Sequence, residues 1–279
     1  RLAAVQQATR EHLEGFKQRF LASLLVEGLV IGNLDQAAAV KIFSSVEQRL
    51  RMSPAGPIPK VTIARLAEGS RVRHVQLSPD PDHVDSAVVV YLQVGEQSHQ
   101  VDATLDLLCQ IMDKEAYTQL RTKEQLGYIV CAEVHARCGV SGVRVAVQSV
   151  KSPYDIEARI ESFLSSFRAF LVSLPPEEFQ DHIASLVNKK LEPEKQLEAK
   201  ASRLFTEVVA HHWVWDRKAR QIAELRNITQ GSLIEFYDTF IAPGAPKRRA
   251  ISSMIVGKEV VESCPEVTPE SEGRVKVLS

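Results

Sequence analysis

The segment LRTKEQLGYIV, residues 120–130, lies where the chain changes from a helical to a strand pattern. Before it, apolar residues recur at helical spacing over residues 101–121; after Gly127, β-branched residues become frequent. A helix that leads directly into a strand inside a longer alternation of both is typical of an α+β fold. The junction also carries several long polar side chains that a simple connection does not need. It is therefore the first candidate for a functional site.

Strands are predicted on both sides of this junction. VRHVQLS and DSAVVVYLQVG precede it, and residues 128–134 and 143–150 follow it as a pair joined by the glycine-containing RCGVSG. Glycines allow a tight hairpin, so this pair is expected to be antiparallel. A last strand is predicted within RAISSMIVGK, residues 249–258. The order predicts an α+β fold with a mixed, mainly antiparallel sheet backed by helices, preceded by part of a similar domain.

Several further helices follow from periodicity and capping signals. Residues 3–20 have a helical pattern, and Asn33 is a candidate N-cap for a helix that follows the short, β-compatible run at residues 21–31. Ser152 and Pro153 predict a helix start, with Ser152 as the capping residue. The remaining predicted helices cover LPPEEFQDHIASLVNKKLE, residues 196–212 and residues 229–241.

The proline-rich stretch MSPAGPIPK divides the chain. It predicts a linker over residues 53–60, between a first segment, residues 1–52, and a larger domain, residues 61–262. Residues 263–279 are predicted to be a polar tail. Since the chain begins at Arg1 without a methionine, it is interpreted as a fragment of something longer.

Composition excludes several functional classes. A net charge of −1 and a pI near 6.8 give no general electrostatic reason to bind nucleic acid or an anionic membrane. No apolar run approaches the roughly 20 residues needed to cross a bilayer. Four scattered cysteines favour a reducing, cytoplasmic location, with an organelle left open, although Cys131 and Cys138 could face each other across the hairpin.

Familiar catalytic motifs are missing from the sequence. The eight histidines form neither the zinc-binding motif His-Glu-x-x-His nor its inverse, His-x-x-Glu-His. No metal site is therefore predicted for this chain. There is no Gly-x-Ser-x-Gly, no phosphate-binding glycine loop and no cysteine in an evidently electropositive setting. The junction at residues 120–130 remains the strongest candidate.

Two readings of this junction stay open on local chemistry. Arg121 could neutralise the last carbonyls of its helix, and Tyr128 could be a half-buried packing residue at the start of a strand. Alternatively, a sharp turn at Gly127 could aim both side chains into the same space. Arg121 and Tyr128 are then candidate substrate-binding residues.

A wider resemblance favours the second reading. YTQLRTKEQLGYIV, residues 117–130, resembles the signature segment in the C-terminal half of the insulysin-like enzymes of the pitrilysin family of zinc metallopeptidases. VEGLVIGNLDQAAAV, LDLLCQIM, RIESFLSSF, EEFQDHIASLVNKKLE and ITQGSLIEFYDTFIAPGAPKRRAISSMIVG are similar to that family in order and spacing. The resemblance covers almost the whole chain.

The resemblance implies a four-domain enzyme whose two halves enclose a proteolytic chamber. Residues 1–52 would then end the third domain, and residues 61–262 would form a fourth, inactive domain of the metallopeptidase-type α/β roll. Zinc would be held by a His-x-x-Glu-His motif in the N-terminal half, and none by this chain. Arg121 would bind substrate, and Tyr128 would bind substrate and donate to the oxyanion of the transition state.

The implied partners are the N-terminal catalytic half and peptide substrates, with a homodimer left open. The alternative is a non-catalytic scaffold or regulatory subunit that keeps the peptidase fold. A subunit like those of the organellar processing peptidases is a third interpretation, disfavoured because the sequence has no glycine-rich substrate loop.

Overall fold

A computed structural model describes residues 2–50, 62–264 and 275–278, with backbone alone for residues 2, 3 and 275–278. The predicted linker, residues 53–60, lies outside the described residues, as do residues 265–274 of the predicted tail. The domain boundaries at residues 52 and 61 remain a prediction.

The helices and strands occur in runs along the chain. The helices are α1 (Leu2–Gln6), α2 (Arg10–Ala22), α3 (Gln36–Leu50), α4 (His99–Ala116), α5 (Pro153–Ser173), α6 (Pro176–Leu191), α7 (Leu197–Val209), α8 (Arg217–Asn227) and α9 (Gln230–Phe240). A π-helical turn covers Tyr117–Lys123, and a 3₁₀-helix covers Lys258–Ser263. The strands are β1 (Arg71–Leu77), β2 (Ser86–Glu96), β3 (Ile129–Arg137), β4 (Val140–Ser149), β5 (Ala250–Val256) and β6 (Val275–Leu278).

These elements form two compact units, Arg1–Thr62 with Pro193–Trp215, and Ile63–Glu192 with Asp216–Ser279. The smaller unit contains α1, α2, α3 and α7. The helix predicted over residues 3–20 is in fact two helices, since Thr9 caps α2 by accepting from the His12 amide. Neither α2 nor α3 has a buried residue.

Two predictions in the smaller unit are wrong. The cap of α3 is Asp35, whose Oδ1 accepts from the Ala38 amide at 2.7 Å, rather than Asn33. Asp35 directly precedes the helix, so its carboxylate reaches the free amides of the first turn. The β-compatible run at residues 21–31 does not form a strand. Residues 21 and 22 end α2, and beyond an isolated bridge at Leu24 no partner strand pairs with residues 23–31 among the described residues.

The larger unit contains a sheet in the order β3-β4-β2-β5-β1-β6. Strands β1 and β5 are parallel, and the other neighbours are antiparallel. This confirms the predicted α+β class with a mixed, mainly antiparallel sheet. The strand β6 lies in the segment for which the sequence predicts only a tail. The central β2 alternates fully buried Val88, Val90 and Leu92 with partly buried neighbours.

Helices supply the other half of the core. The stripe predicted on α4 is buried, namely Leu105, Leu108, Cys109, Met112 and Ala116. Helix α5 also buries an apolar face, namely Ile160, Phe163, Leu164, Phe167 and Leu171. Pro153 occupies the first turn of α5 as predicted, but the Ser152 side chain makes no capping bond. Helix α8 has no strong apolar pattern in the sequence, since its buried residues are only Ile222 and Leu225.

All four cysteines are free thiols. The hairpin pairs Cys131 with Ala146, while Cys138 lies in the two-residue turn with Gly139. The two cysteines therefore do not face each other, and the disulfide alternative is wrong. None of the described helices combines the length and apolar character required to cross a membrane.

Candidate functional site

The site begins where α4 stops being an α-helix. After Ala116 the chain continues as the π-helical turn Tyr117–Lys123, in which the Glu124 amide donates to the Gln119 carbonyl at 3.0 Å. Wide turns of this kind are rare and occur frequently at functional sites. Here the turn places Tyr117 and Arg121 near each other on its surface.

Arg121 lies between two tyrosine rings. Its guanidinium carbon is 4.8 Å from the ring centroid of Tyr117 and 4.8 Å from that of Tyr128. Both distances are within the range of a favourable cation–π contact. The rings are accessible, since Tyr128 is 79% exposed and Tyr117 is 45% exposed. The two residues singled out in the sequence thus share one surface cluster, defined here as the Tyr117–Arg121–Tyr128 stack.

A sharp bend brings Tyr128 back to Arg121. Gln125 has a φ of 49°, in the left-handed region that non-glycine residues rarely adopt. The Leu126 amide then donates to the Leu120 carbonyl at 2.8 Å, and both leucine side chains are buried. The apolar anchors on each side of the bend oppose the backbone cost at Gln125.

Gly127 has a different role from the one expected. The turn conformation belongs to Gln125, whereas Gly127 is required by close packing. A Cβ atom at Gly127 would lie 1.8 Å from the carbonyl oxygen of Gln148 in β4. The absence of a side chain therefore allows the start of β3 to approach β4, which fixes the position of Tyr128.

Glu124 ties the bend to α5. Its carboxylate accepts from Arg159 Nε at 2.8 Å and Arg159 Nη2 at 2.7 Å, and from Gln119 Nε2 at 2.8 Å. The hydrogen bonds from Arg159 hold the pKa of Glu124 below its ordinary value, with a further contribution from the charge of Lys151. Glu124 is consequently ionised at neutral pH and serves the structure of the junction.

A second carboxylate holds the following strand. Asp113, near the end of α4, accepts from the backbone amide of Ala132 at 2.8 Å. This bond joins the helix before the stack to the strand after it. The stack is therefore supported by α4, α5 and β4 together.

The described residues do not offer a zinc site. In residues 2–50, 62–264 and 275–278, no group of three or more histidine, cysteine, aspartate or glutamate side chains is arranged to hold a metal ion. His182 is half-buried, and its burial lowers the pKa of its imidazole. The residues present thus do not fit a bound zinc ion.

Two parts of the site are not predicted from the sequence. Tyr117 is four residues before Arg121, a spacing that could have identified it as a helical neighbour. The Glu124–Arg159 pair joins residues far apart in sequence, and no local pattern predicts it. Long polar residues at the junction therefore divide into a surface stack and its structural support.

The fold is the one found in M16 peptidase domains. The chain is similar to the crystal structure of pitrilysin, with a TM-score of 0.69 and 24% identity over 81% of this chain and 24% of that chain. It is also similar to a peptidase M16 inactive domain from Pseudomonas fluorescens, with a TM-score of 0.62 and 14% identity over 90% of this chain and 58% of that chain.

Comparison of the sequence with known proteins identifies more specific relatives. Residues 107–205 match the family described as PQQ synthase PqqF-like, C-terminal lobe domain 4. The chain is 31% identical to human insulin-degrading enzyme over 268 residues, which are 95% of this chain and 26% of that protein. Over almost its whole length the chain is therefore similar to insulin-degrading enzymes and related peptidases of the M16 (pitrilysin) family. It spans about a quarter of the length of the curated relatives that it matches.

Proposed function

We propose that this chain is part of a zinc metalloendopeptidase of the insulysin type, in which it forms half of a proteolytic chamber and contacts the substrate. The observation that carries the proposal is the exposed Tyr117–Arg121–Tyr128 stack. In this stack an arginine and a tyrosine that the family resemblance implicates are neighbours on the surface.

Tyr128 is suited to stabilise a developing negative charge. A phenol is a neutral donor, and a donor placed beside a peptide carbonyl oxygen stabilises the charge that forms there during hydrolysis. Its position immediately before β3 and its exposure leave the hydroxyl free to approach a substrate. Buried Leu126 and the close approach at Gly127 fix the backbone beside it.

Arg121 is suited to hold a substrate in register. A guanidinium presents its N–H donors around the edge of a plane, while its two faces can stack on aromatic rings. With rings 4.8 Å from its central carbon, the group loses less freedom when it binds a carbonyl or carboxylate. Arg121 would therefore orient the peptide, and Tyr128 would act on the reacting carbonyl.

The zinc ligands of such an enzyme would lie in another part of it. The described residues of this chain do not fit a metal site, and the relatives are about four times as long as the region that they share with it. The proposed partners are a catalytic region that carries His-x-x-Glu-His and peptide substrates. A homodimer and a cytoplasmic location remain predictions.

The test is reconstitution with the metal-binding region. The chain is combined with the region of the same enzyme that carries His-x-x-Glu-His, and cleavage of a fluorogenic peptide is measured with and without Tyr128→Phe. We expect cleavage that needs both components, and a loss of about 10²-fold in kcat in the variant.

Two results would contradict the proposal in different ways. Cleavage that Tyr128→Phe leaves unchanged would remove Tyr128 from the mechanism. A stable complex with no peptidase activity would favour the alternative, a scaffold or regulatory subunit that keeps the peptidase fold. A reading frame upstream of Arg1 that encodes His-x-x-Glu-His would support the enzyme.

A further inference from the structure

Three hydrogen bonds fix the carboxylate of Glu124, whose side chain is 17% exposed. Two come from the Nε and Nη2 atoms of Arg159 in α5, and the third comes from Gln119 in the π-helical turn. We propose that the Glu124–Arg159 pair is a positioning element that holds Arg121 and Tyr128 in their stacked arrangement. This inference rests on the function proposed above.

The pair lies between the two residues that it would position. Glu124 follows Arg121 at the end of the π-helical turn and precedes Tyr128 across the bend. The bonds from the Glu124 amide to Gln119 and from the Leu126 amide to Leu120 cross-link the same segment. A displacement at Glu124 is thereby transmitted to the turn that carries Arg121.

The helix that supplies Arg159 is a rigid reference. On the core side of α5, Ile156, Ile160 and Phe163 are each almost completely buried. Arg159 is on the accessible side of that helix and reaches Glu124 with two parallel bonds. Such a two-bonded fork restricts orientation as well as distance.

The bend needs an anchor at this point. Gln125, the next residue, has the left-handed φ of 49°, which costs free energy for a residue with a side chain. Leu126 and Gly127 fix the strand side of the bend through burial and close packing. The Glu124–Arg159 pair fixes the helix side of the bend, where Arg121 is located.

The charges around Glu124 set a pH limit on this arrangement. Arg159 in α5 and Lys151 just before it are positive, and Gln119 donates a hydrogen bond, so the pKa of Glu124 is below its ordinary value. A lowered pKa means that the pair is complete at neutral pH and is lost as the pH falls through that lowered value.

The same helix provides a matched control. Arg168 donates from Nε and Nη2 to Asp238 of α9, at 2.8 Å in each case. Arg168 is about as exposed as Arg159, 52% against 44%, whereas Asp238 is more exposed than Glu124, 36% against 17%. It joins two helices away from the bend. Loss of this pair removes the same kind of interaction without touching the stack.

The first experiment compares Arg159→Ala with Arg168→Ala in the reconstituted enzyme. For Arg159→Ala we expect kcat/KM to fall by about tenfold or more, because a displacement of about 1 Å in a catalytic group is costly. Arg168→Ala should change kcat/KM by less than twofold. The exchanged pair Glu124→Arg with Arg159→Glu should recover part of the loss. Equal kcat/KM values for the two alanine variants would overturn the proposal.

The second experiment does not depend on activity. Hydrogen exchange of the Glu124 and Leu126 amides is measured in the 279-residue chain. We expect faster exchange in Arg159→Ala and no change in Arg168→Ala. Unchanged exchange in Arg159→Ala would contradict the positioning role, whatever the kinetics. An enzyme that tolerates Tyr128→Phe would instead contradict the proposed function, so the two failures are distinguishable.

Discussion

The guanidinium carbon of Arg121 lies 4.8 Å from the ring centroid of Tyr128, although one residue is in a π-helical turn and the other precedes a strand. The contact exists because the chain reverses at Gln125 and is fixed there by buried Leu126. A charged side chain and a phenol therefore share one accessible surface. The following predictions test what this arrangement and its support do.

Tyr128→Phe removes the phenol and keeps the ring that contacts Arg121. In the reconstituted enzyme we expect kcat to fall by about 10²-fold with a small change in KM, since the donor acts mainly in the transition state. Tyr91→Phe is the control, because Tyr91 contacts His135 on another part of the sheet. An equal effect of both substitutions would point to a general loss of structure.

Arg121→Lys keeps the positive charge but removes the planar group between two rings. Lysine lacks the coplanar N–H donors with which a guanidinium can hold a carbonyl or carboxylate in register, so we expect KM for a peptide to rise by about tenfold. Arg137→Lys, at the exposed end of β3, serves as the control. Steady-state kinetics measure both. A KM for Arg121→Lys equal to that of the unmodified chain would argue against a substrate contact.

Gly127→Ala should destabilise the larger unit. The new Cβ atom would lie 1.8 Å from the Gln148 carbonyl oxygen, so β3 or β4 must move, at a cost of about 1–3 kcal/mol. Gly231→Ala is the matched change, since Gly231 is in the first turn of α9 and its Cβ atom would meet only Thr229 Oγ1, at an ordinary contact distance of 3.9 Å. It should be neutral or stabilising by a few tenths of a kcal/mol, roughly. Urea unfolding measures both.

Glu157→Gln should lower stability strongly at neutral pH. Glu157 is 1% exposed, and its carboxylate binds Arg71, Arg73 and Ser252. Removing one partner from a buried ionic network typically costs about 3–5 kcal/mol. Glu177→Gln, on the exposed first turn of α6, should cost less than about 1 kcal/mol. A cost for Glu157→Gln as small as that control would contradict the role of the network.

The same network gives a pH dependence. Burial raises the pKa of Glu157, but the hydrogen bonds from Arg73 and Ser252 and the charges of Arg71 and Arg73 outweigh it, so the net pKa is lowered. The stabilisation is therefore present above the unfolded pKa and is lost as the pH falls through the lowered folded value. The difference between Glu157→Gln and the unmodified chain should shrink over that acidic range in urea titrations. A difference independent of pH would contradict the assignment.

Cysteine labelling tests the burial of the core. Burial, together with nearby Asp106, raises the pKa of Cys109, and burial also raises the pKa of Cys264. A thiol reagent at neutral pH should modify exposed Cys138 first and half-buried Cys131 more slowly. Cys109 and Cys264 should react only after unfolding, as followed by mass spectrometry. Early labelling of Cys109 would contradict the packing of α4.

The sequence predicted the larger unit well where patterns are strong. Apolar periodicity on α4 and α5 and the continuous valines of β2 depend on burial alone, and burial leaves a regular signature. The first 50 residues were predicted less well. The apolar run at residues 21–31 is compatible with a strand or with an irregular segment. A strand forms only where a neighbouring strand pairs with it, and the local sequence pattern does not show whether one does.

By itself the sequence determined the fold class, the position of the junction and the two residues, Arg121 and Tyr128, that a family resemblance implicates. Only the tertiary structure decided that a left-handed Gln125 makes the bend, that Gly127 is needed for close packing, and that Tyr117 completes the stack. It also paired Glu124 with Arg159. The physical reason is that periodicity records which face is buried, whereas contacts between distant residues arise only when the chain is packed.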